Sequence, residues 1–328
     1  MRVLSADDVR RAVPMPAAID AVESAFVRLS AGQAEAPLRI HVETPERQAI
    51  SFVMPARLAG EPLPALGVKV VSVFPQNRER DAPSIYALVN LFDPETGRPL
   101  ATLDGAYLTA LRTGAASGVA TRHMARPDAR VLAIFGAGAQ ALPQVLAVCA
   151  VRPIERIWIV NRTLERAHRL AAQLRNNGMG QDIRIAPDAA HALAEADVIC
   201  TATAASTPLF ADSDLRPGTH INGVGSYKPS MAEIPAATVA RAHVVVDQRR
   251  AAWAEAGDLI QARDAGLITE EHVIGELGEV AAGKAPGRPA PEAITFFKSV
   301  GNAVQDVAVA ALALARAAES GFEVEVEL

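Results

Sequence analysis

The spacing of apolar residues changes character along the chain. From Arg39 to about Leu103 it alternates with period two through RIHVE, AISFVM, GVKVVSVF, SIYALVNLF and PLATL. That pattern predicts strands, with Asp93-Pro94-Glu95-Thr96-Gly97 as a hairpin turn between the last two. Ahead of this region, Ser5 with Asp8 predicts a capped helix to about Val13. Pro16 suits the start of a second helix through Leu29, closed at Ala31-Gly32. Residues Ala106 to Met124 read as a helix rich in small residues (Ala110, Gly114, Ala115, Ala116, Ser117, Gly118), a plausible hinge between two halves of the chain. Strand and helix signals then alternate: VLAIF before Gly136, RIWIV before Asn161, IRIA near 183–186, DVICTAT at 197–203, THINGVG at 219–225 and HVVVD at 243–247. A last helix from about Ser299 to Glu319 carries Val300, Val304, Val307, Ala308 and Ala311 at helical spacing. The tail from Phe322 to Leu328 alternates as a strand does, and Gly283 to Pro291 reads as a surface loop.

Between VLAIF and the helix that follows lies Gly136-Ala137-Gly138-Ala139-Gln140-Ala141. Strand, glycine turn, helix and strand together form the first half of a Rossmann dinucleotide-binding fold, with Ala141 a permitted variant of the third glycine. An NAD site usually places Asp or Glu roughly 20 residues past the glycines, to hold the ribose hydroxyls. Here that position offers Asn161-Arg162-Thr163: an amide, a guanidinium and a hydroxyl. These groups suit a 2′-phosphate dianion, so the expected cofactor is NADPH, with NADH accepted less well. Backbone at Gly136, Gly138, Ala139 and Gln140, at a helix N-terminus, is expected to hold the pyrophosphate.

At 328 residues the chain can form two domains with separate cores. The expected fold class is α/β. A Rossmann domain spans 114–302, and a smaller, mostly antiparallel α+β domain is built from 1–113 together with 303–328. The net charge of −5, without a basic block, excludes nucleic acid as an expected partner. No apolar run reaches the ~20 residues that span a membrane, and no signal peptide is apparent. Cys149 and Cys200 lie in apolar surroundings, which suits a reducing, cytoplasmic location. The seven histidines show no metal-ligand spacing, and no metal is expected.

Five segments, the glycine turn among them, carry a more specific pattern when taken together. They are Leu111-Arg112-Thr113-Gly114-Ala115-Ala116, Phe135 to Gln140, Asn161-Arg162-Thr163, Gly223-Val224-Gly225-Ser226-Tyr227 with Pro229, and Phe297-Lys298-Ser299-Val300-Gly301. Over nearly its full length the chain resembles the ornithine cyclodeaminase/μ-crystallin family. Shikimate dehydrogenase and glutamyl-tRNA reductase share an Asn-Arg-Thr, but not the Arg-Thr-Gly or Lys-Ser-Val-Gly segments. The resemblance implies a homodimer whose first domain supplies both the dimer interface and the site for a substrate carboxylate. It also implies that Arg39, Lys69 and Arg112 bind that carboxylate, as guanidinium forks and a compact ammonium can. By the same resemblance, Ser84, Thr113, Thr201, Ala202, Thr203, Val224, Gly225, Ser226 and Ser299 line the cofactor, and Val300 flanks cofactor and substrate.

Members of the family differ in chemistry. Its cyclodeaminases use an aspartate base in a Gly-x-Asp-x-Pro segment, where this chain has Gly225-Ser226-Tyr227-Lys228-Pro229. A phenol with an ordinary pKa of about 10 is a poor substitute for a carboxylate base. The expected reaction is therefore reduction of a cyclic ketimine carboxylate, Δ1-pyrroline-2-carboxylate or Δ1-piperideine-2-carboxylate, to L-proline or L-pipecolate by hydride addition at C2. Lys69, a bound water and, more weakly, Tyr227 are the candidate proton sources. An ornithine cyclodeaminase, an alanine-type dehydrogenase and a non-catalytic NADPH-dependent ligand-binding protein remain alternatives. Asp247, Glu255 and Asp258 are further carboxylates, for which solvated or helix-capping roles are expected.

Overall fold

The computed structural model describes residues 1–80, 82–320 and 324–327. It divides into two compact units, Met1–Arg112 with Asn302–Leu328, and Thr113–Gly301. In chain order the first unit holds strand β1 (Arg2–Leu4), helices α1 (Ala6–Ala12) and α2 (Met15–Ser30), and strands β2 (Ala34–Glu35), β3 (Ile40–Thr44), β4 (Ala49–Leu58), β5 (Ala65–Val73), β6 (Ile85–Phe92) and β7 (Pro99–Asp104). Helix α3 (Gly105–Met124) crosses the unit boundary. The second unit contains β8 (Val131–Phe135), α4 (Ala141–Val151), β9 (Arg156–Val160), α5 (Leu164–Asn176), β10 (Asp182–Ile185), α6 (Ala189–Leu193), β11 (Val198–Thr201), β12 (His220–Gly223), α7 (Ala236–Arg241), β13 (His243–Val246), α8 (Arg249–Glu255), α9 (Gly257–Asp264), β14 (Val273–Glu276), α10 (Leu277–Ala281) and β15 (Thr295–Lys298). The chain then returns to the first unit with α11 (Ala303–Ser320) and β16 (Val324–Glu325).

In the first unit the predicted alternation becomes a mixed sheet ordered β16-β1-β7-β6-β5-β4-β2, with β3 also paired to β4. Ser5 and Asp8 form the expected capping box on α1. Asp93 turns the β6–β7 hairpin by accepting hydrogen bonds from the N–H groups of Glu95 and Thr96. One face of the sheet packs against α2 and α11. Gly67 on β5 permits that packing, because a Cβ there would stand 2.9 Å from Val307 Cγ1 on α11. The opposite face is open: cross-strand partners Ile40, Val53, Val70 and Leu88 form one row, and Val42, Ser51, Ser72 and Tyr86 the next. Ile40, Val42, Tyr86 and Leu88 are each more than half exposed.

The second unit is a parallel sheet ordered β10-β9-β8-β11-β12-β15-β13-β14. Its core is aliphatic, around Leu132, Ile134, Val145, Val148, Ile157, Ile159, Leu170 and Val198. Strands β1, β2, β14 and β15 were not among the predicted elements. All four span four residues or fewer, too short for an alternation to stand out. Helix α11 begins four residues later than the spacing of Val300 and Val304 suggested, because Asp247 holds Ser299, Val300 and Gly301 in a turn. Of the predicted tail strand, residues 324–325 form β16, and 321–323 and 328 lie outside the described residues. Among the described residues no helix is long and apolar enough to cross a membrane.

Candidate active site

In the first unit the carboxylate-binding candidates meet at one buried acid. Lys69 points from β5 to the same face as Gly67 and Val71, between its cross-strand partners Met54 and Val89. Its ammonium lies 2.9 and 2.8 Å from the two carboxylate oxygens of Asp306 on α11. Arg112 on α3 donates through Nε to Asp306 Oδ1 at 2.9 Å and through Nη1 to Gln305 Oε1 at 2.9 Å. Gln305 Oε1 also accepts from the Asn302 N–H at 2.8 Å. Burial pushes the Lys69 ammonium down to about 7, helped by the Arg112 charge, opposed by Asp306, and lowered further by Arg39. Arg39 is half-buried, with its guanidinium 4.7 Å from the Phe52 ring centroid. Two buried cations, Lys69 and Arg112, thus share the Asp306 carboxylate, with Lys69 and Asp306 sealed from solvent. A buried excess of positive charge costs several kcal/mol unless an anion joins it, so the arrangement is built to receive one.

The second unit presents the glycine turn. Gly136 has φ +99°, and a Cβ there would stand 2.6 Å from Ala202 O, so only glycine fits. Gly138 has open space where a Cβ would point. Helix α4 starts just beyond with no side-chain cap on its N-terminal N–H groups. An open glycine backbone and an uncapped helix N-terminus fit a dinucleotide pyrophosphate. Asn161 braces this turn: its Oδ1 accepts from Ala137 N at 3.0 Å and its Nδ2 donates to Thr163 O at 2.7 Å. With that amide committed to the protein, the exposed Arg162 and the Thr163 hydroxyl are the groups of this segment that face water.

Two buried carboxylates organise the loops after β11, β12 and β15. Glu233 Oε1 accepts from Thr203 N and Oγ1 at 2.7 and 2.8 Å. Its Oε2 accepts from Thr201 Oγ1, Gly225 N and Ser226 N at 2.9, 2.8 and 3.2 Å. Burial raises the Glu233 carboxyl above its ordinary range, while Lys298 pulls it down and Asp258 pushes it up. The five donors favour the ionised form, since a protonated acid would set a sixth hydrogen among them. A Cβ at Gly225 would stand 2.3 Å from Thr203 O, so glycine allows the two loops to meet. Asp247 Oδ2 accepts from Ser299 Oγ, Val300 N and Gly301 N at 2.9, 2.9 and 2.8 Å. Ser226 donates to Asp258, and Lys298 Nζ lies 2.7 Å from Ser226 Oγ and 3.0 Å from Asp258 Oδ2. The hydroxyls of Ser226 and Ser299 are therefore tied to protein carboxylates.

These contacts correct the solvated or helix-capping roles expected for Asp247 and Asp258, and burial corrects a solvated role for Glu255. All three are buried, and Asp247 and Asp258 each accept backbone N–H groups of neighbouring loops. Ser84 is half-buried just ahead of β6, and Thr113 is buried on α3. Tyr227 is half-buried, with Lys228 Nζ 5.9 Å from its ring centroid. Val224 N donates to Thr201 O, and Ala202 N to Phe135 O, so the ends of β8, β11 and β12 are laced together. Among the described residues no group of three or more His, Cys, Asp or Glu is placed to hold a metal ion.

Residues 1–321 match the ornithine cyclodeaminase/mu-crystallin family. The chain belongs to this family. It is 41% identical over 328 residues, all of both chains, to a Δ1-pyrroline-2-carboxylate reductase of Bacillus cereus. The Δ1-pyrroline-2-carboxylate reductase of Thermococcus litoralis, solved with NADH and L-proline, superposes with TM-score 0.95 at 39% identity, covering 99% of this chain and 100% of that one. An archaeal alanine dehydrogenase dimer with bound NAD superposes with TM-score 0.93 at 33% identity, covering 100% and 99%.

For a member of this family, the residues that sequence reasoning missed are Asp306, Gln305 and Glu233. Asp306 lies between Val304 and Val307 on the apolar stripe of α11, and a carboxylate on a buried stripe was the available signal. Glu233 sits between Ala232 and Ile234 beside Pro235, a lone acid in an apolar segment outside any strand or helix.

Proposed function

We propose that the protein reduces Δ1-pyrroline-2-carboxylate to L-proline with a nicotinamide cofactor. The observation that carries this reading is the excess of buried cation at Lys69 and Arg112, which calls for a small carboxylate ligand. The full-length relatives from B. cereus and T. litoralis act, by their names, on Δ1-pyrroline-2-carboxylate. Arg112 commits Nε and Nη1 to Asp306 and Gln305, which leaves Nη2 for a substrate carboxylate oxygen. Lys69 and Arg39 complete the grip, and the electrostatics of this corner favour an anion over a neutral ligand.

When bound, the reduced nicotinamide supplies the hydride that adds to C2 of the imine. Gly136, Gly138, Ala139 and Gln140 would hold its pyrophosphate, and the loops braced by Glu233 and Asp247 would present Thr201, Ala202, Thr203, Val224, Gly225, Ser299 and Val300 along it. Productive transfer needs the reacting carbons about 3–3.5 Å apart, so much of the chain's contribution is positioning. Tyr227, where the cyclodeaminases have an aspartate, lacks a carboxylate to activate water, which favours reduction over ornithine cyclodeamination. With cofactor deuterated at the transferred position, the label should appear at C2 of the proline formed. Unlabelled proline made from ornithine would instead mean cyclodeamination.

We also propose a preference for NADPH over NADH. Its support is the lack of an acid after β9 and the exposed Arg162 in its place. Replacing Arg162 with Glu should raise KM for NADPH by about 10–100-fold, the worth of a charge-assisted hydrogen bond, and leave KM for NADH nearly unchanged. Equal changes for both cofactors would remove Arg162 from the phosphate site.

The assembly we propose is a homodimer formed through the open face of the first unit's sheet, where Ile40, Val42, Val70, Tyr86 and Leu88 make an apolar patch. Contiguous exposed patches of this kind mark interaction surfaces. Leu88→Asp should convert a dimer into a monomer in sedimentation, and an unchanged dimer would place the interface elsewhere. The free thiols of Cys149 and Cys200 suit a reducing compartment, and we take the protein to be cytoplasmic.

A further inference from the structure

We propose that Asp306 is a positioning residue for the reduction, holding Lys69 protonated and aimed so that its ammonium serves the substrate nitrogen as well as the carboxylate. This rests on the imine-reductase reading above. Asp306 comes from the C-terminal return of the chain, far in sequence from both residues it holds, and its side chain is wholly buried. Both oxygens of its carboxylate face Lys69 Nζ, and Oδ1 also receives Arg112 Nε.

Among the described residues, three charged groups act on Lys69. Arg112 from α3 and Arg39 from the segment before β3 disfavour its proton, and Asp306 from α11 favours it. Met54 and Val89, its cross-strand partners on β4 and β6, are uncharged. Asp306 is therefore the carboxylate that holds the ammonium in place against the nearby positive charge. Without it, burial and like charge would drive the lysine to its neutral form at neutral pH.

The chemistry of an α-imino acid makes this useful. Its imine nitrogen and one carboxylate oxygen can lie on the same side of the molecule, so a single ammonium can face both. A proton passing from Lys69 Nζ to the imine nitrogen gives the iminium, the better hydride acceptor. Hydride addition at C2 forms the C–H bond, and the C=N π pair passes to nitrogen to leave the C–N single bond of the amine. A solvent proton restores Lys69, so one hydride and one proton are consumed per turnover. A lysine that loses its proton near neutrality can give it up without a large penalty.

The test uses the full-length protein. The chain holds four lysines, Lys69, Lys228, Lys284 and Lys298, so carbon-13 labelling at lysine Cε gives few resonances, and Lys69→Arg assigns the one that matters. Its titration by NMR is compared between wild type and Asp306→Asn, alongside kcat/KM for Δ1-pyrroline-2-carboxylate against pH. In Asp306→Asn the Lys69 resonance should titrate about one pH unit or more lower. The alkaline limb of kcat/KM should move with it, and kcat/KM at neutral pH should fall at least about tenfold. The substrate's own ionisation is common to both proteins, so a difference between their profiles belongs to the site. Lys69→Arg keeps a permanent cation opposite Asp306 and should leave only the limb that the free substrate's own ionisation sets, which preserves the test if Asp306→Asn does not fold. An unmoved Lys69 titration, a lowered rate with an unshifted pH profile, or an alkaline limb in Lys69→Arg identical to that of wild type would each overturn the proposal. If wild type shows the shift between variants by NMR but does not turn over the imine, the functional reading fails while the Asp306–Lys69 coupling stands.

Discussion

Replacing Arg112 with alanine should lower kcat/KM for Δ1-pyrroline-2-carboxylate by about 10²–10³-fold, because truncating one partner of a buried, hydrogen-bonded charge site costs about 2–5 kcal/mol. The guanidinium serves two ends at once. Its Nε and Nη1 anchor it to Asp306 and Gln305, and the remaining Nη2 is the group offered to substrate. Alanine removes the substrate contact but leaves Asp306 paired with Lys69, so the fold should survive and the loss should appear in kinetics before it appears in melting. Arg112→Lys restores charge without the planar fork and should recover only a small part of the rate. A kcat/KM within about threefold of wild type, well inside the 2–5 kcal/mol expected, would remove Arg112 from the substrate site.

The second large effect falls on stability. Glu233→Ala leaves five donors from two segments without their acceptor: Thr201 Oγ1, Thr203 N and Oγ1, Gly225 N and Ser226 N. It also takes a negative charge from the surroundings of Lys298. Removing one member of a buried charged network typically costs about 3–5 kcal/mol. For a unit of this size each kcal/mol lowers Tm by roughly 2–4 °C, so a drop on the order of 10 °C is expected by calorimetry. The same variant should bind reduced nicotinamide cofactor more weakly, since the residues Glu233 braces lie at the carboxyl ends of β11 and β12, where parallel sheets bind their ligands. A melting temperature close to wild type would mean that the loops find other acceptors.

What could be read from the sequence follows from how locally each feature is encoded. The glycine turn could be read because Gly136 and Gly138 carry their reason within a few residues, a positive φ at one and backbone access at the other. The antiparallel sheet could be read because β4, β5 and β6 are long and alternate cleanly, so that Lys69 interrupts an apolar face visibly. Strands such as β1 and β15 exist because neighbours in the sheet supply their hydrogen bonds, and nothing within three or four residues announces that. The same limit applies to the site. Lys69 and Arg112 belong to segments with their own pattern, whereas Asp306 and Glu233 acquire meaning only when chain closure brings donors to them. Asp247 shows this most plainly. It follows a buried strand and reads as the cap of the next helix, yet its carboxylate holds a turn more than fifty residues further on.

Imine reduction is tested by following oxidation of NADPH and of NADH by purified protein given Δ1-pyrroline-2-carboxylate, with L-ornithine assayed separately for ammonia. Rapid oxidation with the imine is expected, with L-proline formed one for one with cofactor consumed, faster use of NADPH than NADH, and no ammonia from ornithine. Ammonia and proline from ornithine without net cofactor change, together with an inert imine, would contradict it.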